Sequence, residues 1–476
     1  MPVSTMLARG VALALMGMAG VSGAQVDSPA AVPPDVQAIS VVPPGYGSNA
    51  PAGLHPNEGP ATQLNYTLEL GAEHSSNINL SESDPVSQDL LIPRLFFTFD
   101  QTGSTVQAHA VGQVEYRDYL QGDFGNEVRG QLAAALNWVV IPERLAFAVT
   151  DNSGVEPVNP LVPNAPTNLQ QTNVFSAGPT LLLHFSDALR GQVDVRYINT
   201  TASKTKYFDS QRGSGALRLV RELDATDQIS ANLEAGHVHF TSPSLLPGQF
   251  TPDYDSYNLY GRYQSKLAHV RIDALLGWSH YAFSDGASDR SGSMAQARID
   301  WEMTPNSVLG IGAARQFTDA SEQLMTDPTQ VGINIDTTSI GIGHSVVTPQ
   351  IYLEKRIDVS YAYHSPRLEV SLAPYYRHLD YLNDPFFNEN GPGLAFSTDY
   401  RLAPLMTLGF AADAERVRYT SLDRHDELLS YGPNLTDQLT RHWSWRLNLT
   451  HNRLKSSQPG LSYTENVAFF VISYKR

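Results

Sequence analysis

The chain of 476 residues contains no cysteine. It can therefore form no disulfide and carry no lipid on an amino-terminal cysteine. Beyond one apolar stretch from Val11 to Val21 it has no helix-length apolar run, and its mean hydropathy of −0.24 excludes a bundle of membrane helices. Positive charge is scarce, with 32 Lys and Arg against 48 Asp and Glu and a formal net charge of −16. That balance speaks against a nucleic-acid surface. Acidity spread over loops ordinarily serves solubility, and attraction of divalent or cationic solutes is the sharper alternative. Phosphate-cradling glycine loops are missing too. Gly310-Ile311-Gly312 and Gly341-Ile342-Gly343 sit in strand-like patterns, where glycine is expected to relieve curvature. The 14 histidines are scattered, and His237-x-His239 places two imidazoles on one strand face with no third ligand nearby in sequence, which leaves a metal site unassigned. No Ser/His/acid constellation can be assembled, so neither an enzyme nor a cofactor is expected.

What the chain does have is alternation. Val128, Gly130, Leu132, Ala134, Leu136, Trp138 and Val140 interleave with Arg129, Gln131, Ala133, Ala135, Asn137 and Val139. Leu217 and Leu219 flank Arg218; Leu259, Gly261 and Tyr263 alternate with Tyr260, Arg262 and Gln264; Ile299, Trp301 and Met303 alternate with Arg298, Asp300 and Glu302. A soluble sheet would need a packed layer over each apolar face, and no helical layer is encoded to supply it. The pattern predicts an all-β fold, a transmembrane antiparallel barrel closed on itself in the outer membrane of a Gram-negative cell.

The amino terminus agrees with export. Arg9, the Val11–Val21 stretch and the small-x-small sequence Ser22-Gly23-Ala24 read as a signal peptide over residues 1–24. Its removal leaves the product one unit more negative. Residues 25–61 are rich in Pro, Ala and Gly, with Pro33-Pro34, Pro43-Pro44, Pro51, Pro56 and Pro60, and are expected to form a short disordered periplasmic extension. Residues 62–476 are left for the barrel.

Short turn signals recur at steps of roughly 40 residues, the room for two spanning strands and a loop. They are Asp100–Gly103, Pro142–Arg144, Ser186–Ala188, Asp224–Asp227, Ser265-Lys266, Thr304–Ser307, Ser365–Arg367, Ala403-Pro404 and Asp437-Gln438, all assigned to the periplasmic side. Longer segments, Asn152–Asn168 and Thr318–Pro349, are assigned to the exterior. The count is about 18–20 strands, depending on whether Thr337–Val346 is a strand or loop. Aromatic residues fall on the apolar parity, among them Tyr66, Phe97, Phe99, Tyr116, Trp138, Phe147, Phe185, Tyr197, Tyr257, Trp278, Trp301, Tyr361, Tyr363, Tyr376, Tyr400, Trp443 and Trp445. Such residues form interfacial girdles.

The opposite parity carries the candidate lumen lining: Glu115, Arg117, Asp194, Arg196, Arg218, Glu234, Arg262, Arg271, Asp273, Arg298, Asp300, Glu302, Arg377, Arg401 and Arg446, with Glu369 and Asp399. Mixed signs on neighbouring strands ordinarily mean cross-strand ion pairs that stabilise the interior. The functional alternative is a wet pore that passes or binds a polar polymer with little preference for sign.

Leu68-Glu69-Leu70-Gly71-Ala72-Glu73-His74-Ser75-Ser76-Asn77-Ile78-Asn79-Leu80-Ser81, followed by Ile92-Pro93-Arg94-Leu95, resembles the opening of the outer-membrane β-barrel porin family that accompanies exopolysaccharide and exosortase loci. Phe470, Ile472 and Tyr474 have the alternation of a terminal barrel strand, whereas Arg476 stands where such barrels end in an aromatic. The resemblance implies export or surface retention of an exopolysaccharide. Its implied partners are outer-membrane lipid, the barrel-assembly machinery, the polysaccharide and periplasmic export components. A general diffusion porin for small polar solutes is the alternative, and an outer-membrane hydrolase a third.

Overall fold

Side chains of period two, apolar on one parity and polar on the other, are satisfied in a bilayer only if every backbone donor and acceptor is paired and no strand edge is left open. The computed structural model describes residues 61–241, 253–284, 288–324, 350–382 and 385–476. The leader at 1–24 and nearly all of the 25–61 extension lie outside them, as does Thr337–Val346.

Twenty strands make up this region: β1 (Ala61–Ser75), β2 (Gln88–Thr102), β3 (Val106–Tyr119), β4 (Glu127–Ile141), β5 (Leu145–Pro157), β6 (Leu169–Ser186), β7 (Leu189–Ala202), β8 (Ser210–Glu222), β9 (Asp227–Phe240) and β10 (Tyr254–Lys266) form the first half. The second half is β11 (Val270–Phe283), β12 (Arg290–Thr304), β13 (Ser307–Thr318), β14 (Tyr352–His364), β15 (Leu368–Tyr381), β16 (Glu389–Ala403), β17 (Met406–Tyr419), β18 (Arg424–Gln438), β19 (Trp443–Ser456) and β20 (Tyr463–Lys475). Each pairs antiparallel with the next, and β20 closes on β1 from Thr67↔Lys475 to Ser75↔Val467. The result is an all-β, closed barrel. One short helix, α1 (Ala320–Leu324), follows β13.

Strands run from 12 to 18 residues, longer than the roughly 9–11 that a tilted strand needs to cross hydrocarbon. Each therefore projects into the aqueous or headgroup region. The outer face is apolar: Leu276 is 70 % and Trp138 48 % exposed, and Leu68, Val128, Leu217, Leu259, Ile357, Tyr400 and Trp443 share that face. Such a surface is stable only in lipid, so this is an outer-membrane barrel. All nine short turns fall at one end of the barrel. Three are displaced from their expected residues: Asp100, Gln101 and Thr102 belong to β2 and the turn begins at Gly103, Ser265 and Lys266 belong to β10 and the turn begins at Leu267, and Asp437 and Gln438 belong to β18 and the turn begins at Leu439. Strand register carries the ladder a little beyond the turn-forming residues in all three. The exterior segments also shrink, because Asn152–Pro157 complete β5 and Thr318 completes β13.

Proline within a closed barrel poses a problem, since it cannot donate to the ladder and there is no edge to hold it. The solution recurs at Gly178-Pro179, Gly391-Pro392 and Gly432-Pro433. Pairing on one side skips both residues, as between Ala177↔Tyr197 and Thr180↔Asp194, or Asn390↔Arg418 and Gly393↔Glu415. The neighbouring strand closes in on the glycine: a Cβ at Gly391 would overlap the carbonyl oxygen of Arg416.

Candidate functional site

Inward parity places charged side chains in a wall with little water around it, where each needs a counter-charge or a hydrogen bond. On β20, β1, β2 and β3 the result is a continuous ladder. Arg94 Nη1 donates to Glu69 at 3.3 Å and Nη2 to Glu115 at 2.9 Å, while Arg117 Nη2 donates to Glu73 at 2.7 Å. Ser75 donates to Glu465 at 2.6 Å, and Ser473 to Glu69 at 3.0 Å, so the network bridges the seam where the barrel closes. Arg94 also lies 5.6 Å from the Phe469 ring centroid across that seam.

Further round, Arg196 donates to Asp194 at 3.0 Å, and Arg262 Nε to Asp273 at 2.7 Å. Arg218 Nε donates to Asn232 at 2.8 Å, and Tyr260 to Glu234 at 2.6 Å. Arg298 spans two strands: it meets Asp300 at 2.9 Å on its own β12 and Asp358 at 3.1 Å on β14. The strand between, β13, carries Gly310 and Gly312. A Cβ at Gly310 would overlap Arg298 and Ser360, and one at Gly312 would lie 2.7 Å from Asp358. These glycines are expected from sequence to relieve curvature; their visible role is to clear space for an ion pair that crosses over them. Arg377 completes the series by bonding Glu389 at 2.8 Å and Glu415 at 3.1 Å.

The interior thus brings together Glu115 with Arg117, Asp194 with Arg196, Arg262 with Asp273, and Arg298 with Asp300. Arg446 is buried on the same parity. Arg271, Glu302 and Arg401 share that parity but stand exposed near the short-turn end. The two histidines of His237-x-His239 face outward instead, His237 at 2.8 Å from Asp255 and His239 at 2.6 Å from Asp253. Among the described residues no group of three or more His, Cys, Asp or Glu is arranged to hold a metal.

Two segments expected as plain exterior loops turn inward. α1 packs Ala320 and Leu324 against Val174 of β6, Ile198 and Ala202 of β7, and Phe208 of the turn after β7, six to seven strands round the barrel from β13. Arg212 of β8 anchors it through Asp319 and, at 2.7 Å, Glu322, and Tyr254 donates to Asp319 at 2.6 Å. Burial pushes the Asp319 carboxyl up, but the Arg212 guanidinium and the Tyr254 hydroxyl more than offset it and hold the group below its ordinary value. Glu322 goes the other way: burial, and then the Asp319 charge beside it, push its carboxyl up to about 7. The second segment, 158–168, is closed on itself by Asn168 donating to the Asn159 carbonyl at 2.8 Å, and the Leu161 carbonyl accepts from Arg424 of β18 at 2.6 Å. Arg424 also bonds Asp426. What Arg212 and Arg424 anchor has no local sequence signal, because Asp319 and Glu322 lie 107 and 110 residues from Arg212 and the Leu161 carbonyl 263 from Arg424.

No protein-family profile matches the chain, and no curated protein matches it. Solved structures do align with it. The FrpB iron transporter from Neisseria meningitidis is 8 % identical with a TM-score of 0.43, over 87 % of this chain and 81 % of that one. The siderophore receptor PirA from Pseudomonas aeruginosa is 10 % identical with a TM-score of 0.44, over 88 % and 81 %. A mutant of the ferric enterobactin receptor PfeA from the same species is 9 % identical with a TM-score of 0.46, over 87 % and 81 %.

Proposed function

We propose that this outer-membrane barrel is porin-like and takes part in the export or surface retention of an exopolysaccharide. The observation that carries the reading is the pairing of interior charges, with arginines of the wall set against carboxylates on the same strand, the next or the next but one. A compensated wall presents little net field to a passing ion but offers closely spaced donors and acceptors. A polyhydroxylated chain can exchange its water hydrogen bonds for these one at a time. In this reading Glu115, Arg117, Asp194, Arg196, Arg218, Glu234, Arg262, Asp273, Arg298, Asp300, Arg377 and Arg446 line the path, with Arg271, Glu302 and Arg401 at its periplasmic mouth. The resemblance of the Leu68–Ser81 hairpin and the Ile92–Leu95 strand to the exopolysaccharide-associated porins supports the choice of polymer.

The test pairs cells with bilayers. Deleting the chain should remove polysaccharide from the cell surface, and the purified barrel in a planar bilayer should show a reversal potential near zero in a KCl gradient, with current interrupted by the cell's own polysaccharide. Undiminished surface polysaccharide, together with a current indifferent to the polymer, would identify a general diffusion porin for small polar solutes.

A further inference from the structure

The outward face of the barrel holds an asymmetry that the lumen does not explain. Strands longer than the hydrocarbon is thick carry one or two outward residues above the apolar belt at the long-loop end. Round most of that rim these residues are neutral or acidic, and the basic side chains present already have partners. His74 lies 2.7 Å from Asp89, Lys355 bonds Asp380 at 3.0 Å, and Arg315 donates to Ser293.

On β17, β18 and β19 the picture reverses. The outward parity of β17 runs Phe410, Ala412, Ala414, Arg416, Arg418; that of β18 runs Tyr431, Leu429, Glu427, His425; that of β19 runs Leu449, His451, Arg453, Lys455. Register puts Arg416, Glu427 and Lys455 in one row, with Arg418 opposite His425 above it and Arg453 opposite Leu429 below. Four permanent cations therefore meet one carboxylate, across three strands about 10 Å wide, on a molecule whose overall charge is −16. Glu427 is taken by Arg416 at 3.0 Å, an exposed pair of little energetic worth, and Arg416 itself is 73 % exposed. Arg418, Arg453 and Lys455 form no ion pair with a carboxylate among the described residues. Directly beneath lie Leu429, Tyr431, Leu449 and Phe410, all exposed on the lipid side.

We infer that the outward face of β17–β19 binds a phosphate-bearing lipid headgroup of the outer leaflet. The cations sit one strand-turn above side chains that contact acyl chains, so a ligand that fits both must have an anionic head on apolar tails. Arginine and lysine at such a depth gain affinity from the surface charge of the leaflet, and arginine forks match phosphate oxygens.

The probes are purified lipopolysaccharide, the same lipid after enzymatic dephosphorylation, and inorganic phosphate, each added to the full-length detergent-solubilised barrel and read by native mass spectrometry. The wild-type barrel should retain the phosphorylated lipid, and R416Q/R418Q/R453Q/K455Q should lose at least about tenfold in occupancy. A second variant, R418Q/R453Q, leaves the Arg416–Glu427 pair intact and should show an intermediate loss. Heat-modifiable migration on gels reports that each variant is folded. Equal retention by wild type and R418Q/R453Q, or equal retention of the dephosphorylated lipid, would overturn the assignment. Displacement of the lipid by millimolar inorganic phosphate would also overturn it, since it would mean a site for free anions.

Discussion

Arg424, at the start of β18, donates to the carbonyl oxygen of Leu161 at 2.6 Å across 263 residues of sequence. The bond ties the β5–β6 connection to a strand seven positions away round the barrel, and Asp426 holds the guanidinium in place. The segment is thereby an interior feature of the barrel mouth and not a free exterior loop.

Removing that tether should release the segment without unfolding the barrel. Arg424→Met combined with Asp426→Asn leaves no buried carboxylate unpaired but abolishes the donor. A charge-assisted hydrogen bond is worth about 1.5–3 kcal/mol, so proteolysis within 158–168 on intact cells should accelerate by about tenfold or more. An unchanged cleavage rate would show that Leu161 is held by other contacts.

Docking of α1 should depend on pH in one direction. Glu322 is raised from 4.5 to about 7, so the docked state binds its proton more tightly than the released one. The benefit is full below pH about 4.5 and is lost as pH rises towards 7. Asp319, held low by Arg212, stays ionised across that window. Protease access to residues 319–324 should therefore rise between pH 5 and 8, and Glu322→Gln should flatten the profile. A Gln variant with the wild-type profile would place the titration elsewhere.

Four inward arginines separate a charged path from a purely structural wall. Changing Arg196, Arg218, Arg262 and Arg298 to Gln leaves Asp194, Asp273, Asp300 and Asp358 short of counter-charge. The lipid-facing residues are untouched, so the barrel should assemble, with a lower temperature for its heat-induced gel shift because paired charges have been broken. Reversal potentials should move towards cation selectivity. A folded variant with unaltered selectivity would remove these residues from the path.

Backbone proximity makes the glycine-proline sites sensitive. Gly391→Ala forces a methyl into the Arg416 carbonyl, and backbone cannot yield as a side chain can. Assembly into the heat-modifiable form should fall sharply. Gly213→Ala, where an added Cβ meets nothing within 4 Å, is the control and should assemble as wild type.

The barrel was legible in the chain because its determinants are local. Period-two alternation names the face each side chain takes, and Pro, Gly, Asn and Asp mark the turns, so the nine short turns could be located to within a few residues. Displacements arose at Asp100-Gln101-Thr102, Ser265-Lys266 and Asp437-Gln438, where the ladder continues past residues that elsewhere begin turns. The space that Gly310 and Gly312 leave was not legible for a different reason. What they accommodate, Arg298 reaching Asp358, comes from two other strands.

By itself, then, the sequence determined an all-β membrane barrel, the parity that faces lipid and the end that carries the short turns, since each depends on residues within one strand or hairpin. Tertiary structure alone decided that the described residues form 20 strands, that β20 closes on β1, which arginine meets which carboxylate, and that 158–168 and 319–324 fold inward. Register and closure choose these partners across strands, from 11 positions for Arg262 and Asp273 to 263 for Arg424 and Leu161, and pairing of that kind leaves no periodic trace in the chain.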